Sequence, residues 1–149
     1  MRKHFCKLFL IVVFLGVPFK SICQSNIDQI IGTWVFNYES SIELMDTKAK
    51  NHYAKMGAAR QEKVKQAYRN RKITFEENGN FIQEFEDGRI VTGTWLINKN
   101  KGIEITSPKG SVMGFKIKEL TVNVLQISRI KTADNRMNML IENWYLARD

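Results

Sequence analysis

Beyond residue 72, apolar and polar positions alternate with a period of two, the sign of strands with one buried face. Phe81 and Phe85 share a face opposite Ile82, Glu84 and Glu86. Ile103 and Ile105 oppose Glu104, and Met113, Phe115 and Ile117 oppose Lys116 and Lys118. Trp95 shares a face with Val91 and Ile97. These apolar faces are assigned to an interior. Turn signals separate the runs: Glu77-Asn78-Gly79-Asn80, Asp87-Gly88, Asn98 to Gly102, and Pro108-Lys109-Gly110. With a first strand at 31–38, the pattern predicts eight strands, the others at 72–76, 80–86, 90–97, 103–106, 112–118, 121–128 and 137–146. Short, regularly spaced strands with polar turns argue for an all-β antiparallel barrel or sandwich. Eight strands close into an up-and-down barrel just wide enough for side chains or one small ligand.

Between the first two strands the period changes. Over 42–71, Met45, Ala49, Tyr53, Met56, Arg60, Val64, Ala67 and Tyr68 recur at helical steps, which predicts an amphipathic helical segment. Ser40 and Glu43 fit a capping box at its start, and Gly57 is positioned to bend or split it.

The first 23 residues follow a different pattern. Arg2, Lys3 and Lys7 precede an apolar run, Leu8 to Val17, that is too short to span a bilayer, which takes about 20 apolar residues. Pro18 follows, then the small-x-small site Ser21-Ile22-Cys23. This order predicts a signal peptide over 1–23, cleaved before Gln24, and a single exported domain over 24–149, periplasmic or secreted. Lipidation of Cys23 fits less well, because Ile22 and Lys20 stand where a lipoprotein signal places a small and an aliphatic residue.

The chain has 149 residues, is 44% hydrophobic and 26% charged, and carries a net charge of +8. That is ordinary globular composition for one domain. Both cysteines and four positive charges lie in the first 23 residues, so the exported part carries about +4, no cysteine, and His52 as its single histidine. It owes nothing to disulfides. Charge is uneven within it. The helical segment holds Lys48, Lys50, Lys55, Arg60, Lys63, Lys65, Arg69, Arg71 and Lys72 against Glu43, Asp46 and Glu62, which leaves the remainder acidic.

Candidate chemistry is sparse. Any nucleophile–base pair built on histidine must use His52, which falls mid-helix in a basic segment. No HExxH, CxxC or glycine-rich phosphate loop is present. Glu84, Glu86 and Asp87 read as the solvated face and turn of a hairpin rather than paired catalytic acids. A non-enzymatic protein without metal or cofactor is the reading, and an exported chain with few aromatics among its helical charges is not expected to bind nucleic acid. An anionic membrane surface or an envelope partner suits a basic amphipathic segment better. Met45, Tyr53, Met56 and Tyr68 form the other face, which either roofs a cavity or plugs the barrel mouth.

Gly32-Thr33-Trp34 resembles the Gly-x-Trp signature that opens lipocalins and fatty-acid-binding proteins, and Gly93-Thr94-Trp95 supplies a second copy. The stretch KITFEENGNF…DGRIVTGTWLINKNKGIEI resembles small secreted or periplasmic bacterial lipocalin-like proteins, over roughly 28–148. The resemblance implies a calycin-type barrel that holds a small hydrophobic or amphipathic ligand. Its pocket would draw on Phe81, Phe85, Trp95, Met113, Phe115 and Met139, with Met45, Tyr53 and Met56 as a roof where fatty-acid-binding proteins carry a helical lid. It also implies a late arginine packed on Trp34, for which Arg148 is the first candidate and Arg129 the second. The chain departs from typical lipocalins in leaving no room for a helix after the last strand and in lacking a disulfide. The alternative function is a ligand-free envelope module that uses the basic segment 42–71 as its contact surface.

Overall fold

A computed structural model describes residues 27–131 and 139–149. The expected signal segment 1–23, with Cys23, lies outside the described residues. Eight strands form a closed barrel in sequence order: β1 (Gly32–Phe36), β2 (Lys72–Phe75), β3 (Asn80–Glu84), β4 (Ile90–Ile97), β5 (Ile103–Thr106), β6 (Val112–Leu120), β7 (Val124–Arg129) and β8 (Asn143–Arg148). All neighbours pair antiparallel, and β1 closes the ring against β8. Closure leaves no sheet edge exposed to another chain. A register shift between Ile117 and Glu119 bends β6.

Alternation decides what fills the ring. Trp34 and Phe36, Ile73 and Phe75, Ile103 and Ile105, Leu125 and Ile127, and Trp144 and Leu146 all bury inward along their strands. Phe81, Trp95 and Phe115 join them. Val91 has the inward parity of Trp95 but is exposed, because it stands at the upper rim where β4 begins. The turns use glycine where the backbone becomes left-handed, as at Gly79 after Asn78 (φ 86°).

The helical segment is three short helices: α1 (Tyr38–Glu43), α2 (Thr47–Ala54) and α3 (Ala58–Tyr68). Four expectations from the sequence do not hold. β1 ends at Phe36 rather than running to Tyr38, because Asn37 turns the chain and caps α1 by accepting from the Ser40 N–H at 2.9 Å. Ser40 is therefore a donor within the first turn and not the cap. One long helix is also absent. Asp46 offers its carboxylate to the Ala49 N–H at 2.7 Å and starts a new helix, and Gly57 sits extended before α3. The expected last strand, 137–146, begins at Asn143, and its positions 137–138 lie outside the described residues.

Each helix is tied to the barrel differently. α1 is pinned to β8: the buried Ser41 hydroxyl donates to the Asn37 carbonyl and accepts from the Tyr145 N–H, while Asn143 donates to the Leu44 carbonyl. The C-terminal end of α3 is clamped to the β3–β4 turn through Arg69, which pairs with Glu86 at 2.8 Å. α2 and the start of α3 are bonded chiefly to the other helices, through the Tyr53–Tyr38 hydroxyl pair at 2.7 Å and Gln61 donating to the Tyr53 carbonyl.

Candidate functional site

The barrel lumen is packed with side chains. Trp34, Ile73, Phe75, Ile103, Phe115, Leu125 and Leu146 each have 0% exposure, so no water-sized void lies beside any of them. Ring pairs bridge the interior: Phe75 meets Trp95 at 5.1 Å, Phe115 meets Trp144 at 5.0 Å, and Phe36 meets Trp144 at 6.0 Å. These separations are ordinary aromatic packing. Met45, one of the expected roof residues, is buried in the same core.

The closed end is built around Trp34. Its indole N–H donates to the Ile30 carbonyl at 2.8 Å, and the Arg148 guanidinium stacks 4.0 Å from its ring centroid. Arg129 lies at the opposite end of β7, where it is buried.

At the open end the layering is aromatic and cationic. The buried Arg71 guanidinium sits between Tyr68 (4.3 Å) and Phe85 (4.7 Å), and Arg89 covers the outer face of Phe85 at 4.6 Å. Arg71 donates to the Ala67 carbonyl at 2.6 Å and, with the Gln83 amide turned, to its oxygen at 3.1 Å. Burial pushes the Arg71 pKa down, and the nearby Tyr68 hydroxyl works against it. Burial raises the Tyr68 pKa, while the Arg71 charge draws it back. Phe85, expected to line a pocket, is half-buried and packs in this stack.

Outside the lumen, the site that brings expected residues together is a hollow of about 570 Å³ between α2, α3 and the chain at 139–142. Met56 and Met139 line it, as do Ala49, Val64 and Leu140, all half-buried. Its rim carries Lys48, His52, Arg60 and Lys131, with Asp46 and Glu142. Tyr53 is half-buried and occupied by its bond to Tyr38, and Met113 packs half-buried against the core. The structure thus joins Met56 with Met139 and places Phe81, Trp95 and Phe115 in solid packing. A second hollow, about 430 Å³, lies on the outer face of β3, β4 and β5 among Asn80, Ile82, Thr92, Thr94 and Thr106. It lacks charged groups.

Ala49, Val64, Leu140 and Lys131 line the first hollow and were not singled out as site residues by sequence reasoning. For two of them a signal exists: Ala49 and Val64 share one stripe with Met56 at steps near two helical turns. Lys131 and Leu140 come from a distant loop and give no such signal.

The family model described as a lipocalin-like domain matches residues 30–127, which runs from β1 through most of β7 and includes the helical insert. No curated protein and no solved structure matches the chain.

Proposed function

The chain belongs to the lipocalin-like domain family, and from that premise we propose that it is an exported, non-enzymatic binding protein for a small apolar or amphipathic molecule. The ligand sits in the Met56–Met139 hollow at the barrel mouth, beneath α2 and α3, and not in the lumen. One observation carries this placement: Trp34, Ile73, Phe75, Ile103, Phe115, Leu125 and Leu146 are fully buried along the lumen, whereas the hollow of about 570 Å³ has an apolar floor and charged rim. That volume falls in the roughly 300–1,000 Å³ of small-molecule sites. Met suits such a floor because its flexible, polarizable side chain adapts to ligand shape.

Export rests on the basic, apolar, small-x-small order of residues 1–23, with cleavage before Gln24. Intact mass of the protein recovered from its host tests this. An unmodified chain starting at Gln24 supports it, and a diacylglyceryl mass on Cys23 contradicts it.

Titration with a neutral fluorescent naphthylamine tests the site. The Met56→Ala, Met139→Ala double variant removes floor area worth about 0.8 kcal/mol per buried methylene, so affinity falls several-fold. An unchanged affinity rejects the hollow. A second reading, contact of the basic helices with an anionic surface or envelope partner, is favoured by the filled lumen. It predicts no probe binding and salt-sensitive association with anionic vesicles.

A further inference from the structure

We infer that the ligand of the Met56–Met139 hollow is a single-chain amphiphile with an anionic head, a carboxylate or a phosphate, whose head is held by Lys48 and Arg60. This rests on the hollow being the binding site.

The charges on the rim are not balanced among themselves. Glu142 is engaged by Lys131 at 2.9 Å. Asp46 is committed to its cap on α2, accepting from the Ala49 N–H. Both keep their charge, so the rim carries three Lys or Arg side chains against two carboxylates. Lys48 and Arg60 make no ion pair among the described residues, although both line the hollow and both belong to a strongly basic stretch of chain. An apolar ligand alone leaves these two exposed cations without an ionic partner at the rim. An anionic head completes them, and a cationic head is repelled.

The floor sets the other half of the ligand. Met56, Val64, Met139 and Leu140 form an apolar surface from two separate parts of the chain. The volume suits one hydrocarbon chain rather than the two of a phospholipid. Arg60 sits one helical turn before Val64 on α3, and Lys48 sits in the first turn of α2, so the cations flank the apolar floor rather than interrupt it.

The experiment compares matched twelve-carbon ligands, each below its aggregation concentration, by calorimetry at low salt. Dodecanoate and dodecyl phosphate should bind about fivefold to tenfold more tightly than dodecanol, the effect of two solvent-exposed charge contacts. The preference should shrink at high salt. In the Lys48→Gln, Arg60→Gln variant it should fall below about twofold while dodecanol affinity stays unchanged. Equal affinity for acid and alcohol, or a preference that survives the variant, overturns the inference and leaves the hollow intact as an apolar site. Failure of all three to bind rejects the hollow itself. A parallel arm uses vesicles of anionic phospholipid. Binding to vesicles but not to the soluble amphiphiles assigns the cations to a membrane surface and also overturns the inference.

Discussion

The Arg148 guanidinium lies 4.0 Å from the centroid of the Trp34 ring and donates from the same group to the carbonyls of Gln29, Ile31 and Val122. One side chain thus covers the indole that plugs the barrel end and ties the chain before β1 to the β6–β7 turn. Stacking of this kind contributes about 0.5–2 kcal/mol, and each hydrogen bond from a charged donor about 1.5–3 kcal/mol. The closed end is thus held by one side chain that reaches three separate carbonyls.

Trp34→Ala should destabilise the fold by about 3–5 kcal/mol, the range for truncating a fully buried aromatic. Chemical denaturation measures this. A shift under about 1 kcal/mol would show that Trp34 is peripheral.

Gly32 has φ 128°, and a Cβ there would run into the Arg148 guanidinium. Gly32→Ala should cost about 1–3 kcal/mol through strain and collision together. In an Arg148→Ala background only the strain remains, so the cost should fall by at least about 0.5 kcal/mol, a coupling visible in a double-mutant cycle. Strict additivity would show that the two residues do not press on each other.

The Arg69–Glu86 pair clamps α3 to the β3–β4 turn. Hydrogen bonds from Arg69 hold the Glu86 carboxyl below its ordinary range, with Asn70 assisting. A carboxyl depressed in the folded state contributes stability above its unfolded pKa, about 4.3, and loses it as pH falls through the folded value. The stability difference between the native chain and Glu86→Gln should therefore be present at pH 7 and shrink as pH falls below the ordinary carboxyl range, about 4.3. A difference independent of pH would contradict the clamp.

Much of the architecture is legible in the sequence because alternation survives wherever one strand face is buried. Ile103-Glu104-Ile105 in β5 shows it at its shortest. The helix count is harder to read, because the stripe from Met45 to Tyr68 continues through the breaks at Asp46 and Gly57. Both act through local hydrogen bonds and backbone angles rather than through hydrophobicity. The filling of the lumen is not legible at all. Alternation says that Phe115 faces inward, but its meeting with Trp144 at 5.0 Å depends on the register of strands far apart in the chain. The hollow is hidden for the same reason, since Met139 and Leu140 line it with Met56 and Val64 from a part of the chain far away in sequence.

Met56→Ala and Met139→Ala should each lower stability by no more than about 1 kcal/mol, since both side chains are half-buried at the rim of the core. Phe115→Ala, from the packed lumen, should cost about 3–5 kcal/mol. Thermal or urea unfolding of the three variants checks the contrast. Similar large losses for all three would make the two methionines core residues rather than a binding floor.

The most direct test of the account is where a bound chain lies. Methyl-labelled protein is titrated with dodecanoate that carries a nitroxide near its chain end, and methyl resonances are followed by NMR. The account predicts broadening of the Met56, Met139 and Val64 methyls, with Ile73, Ile103 and Leu125 inside the barrel left sharp. Broadening of Ile73, Ile103 and Leu125 with Met56 and Met139 untouched would place the ligand in the lumen and contradict it.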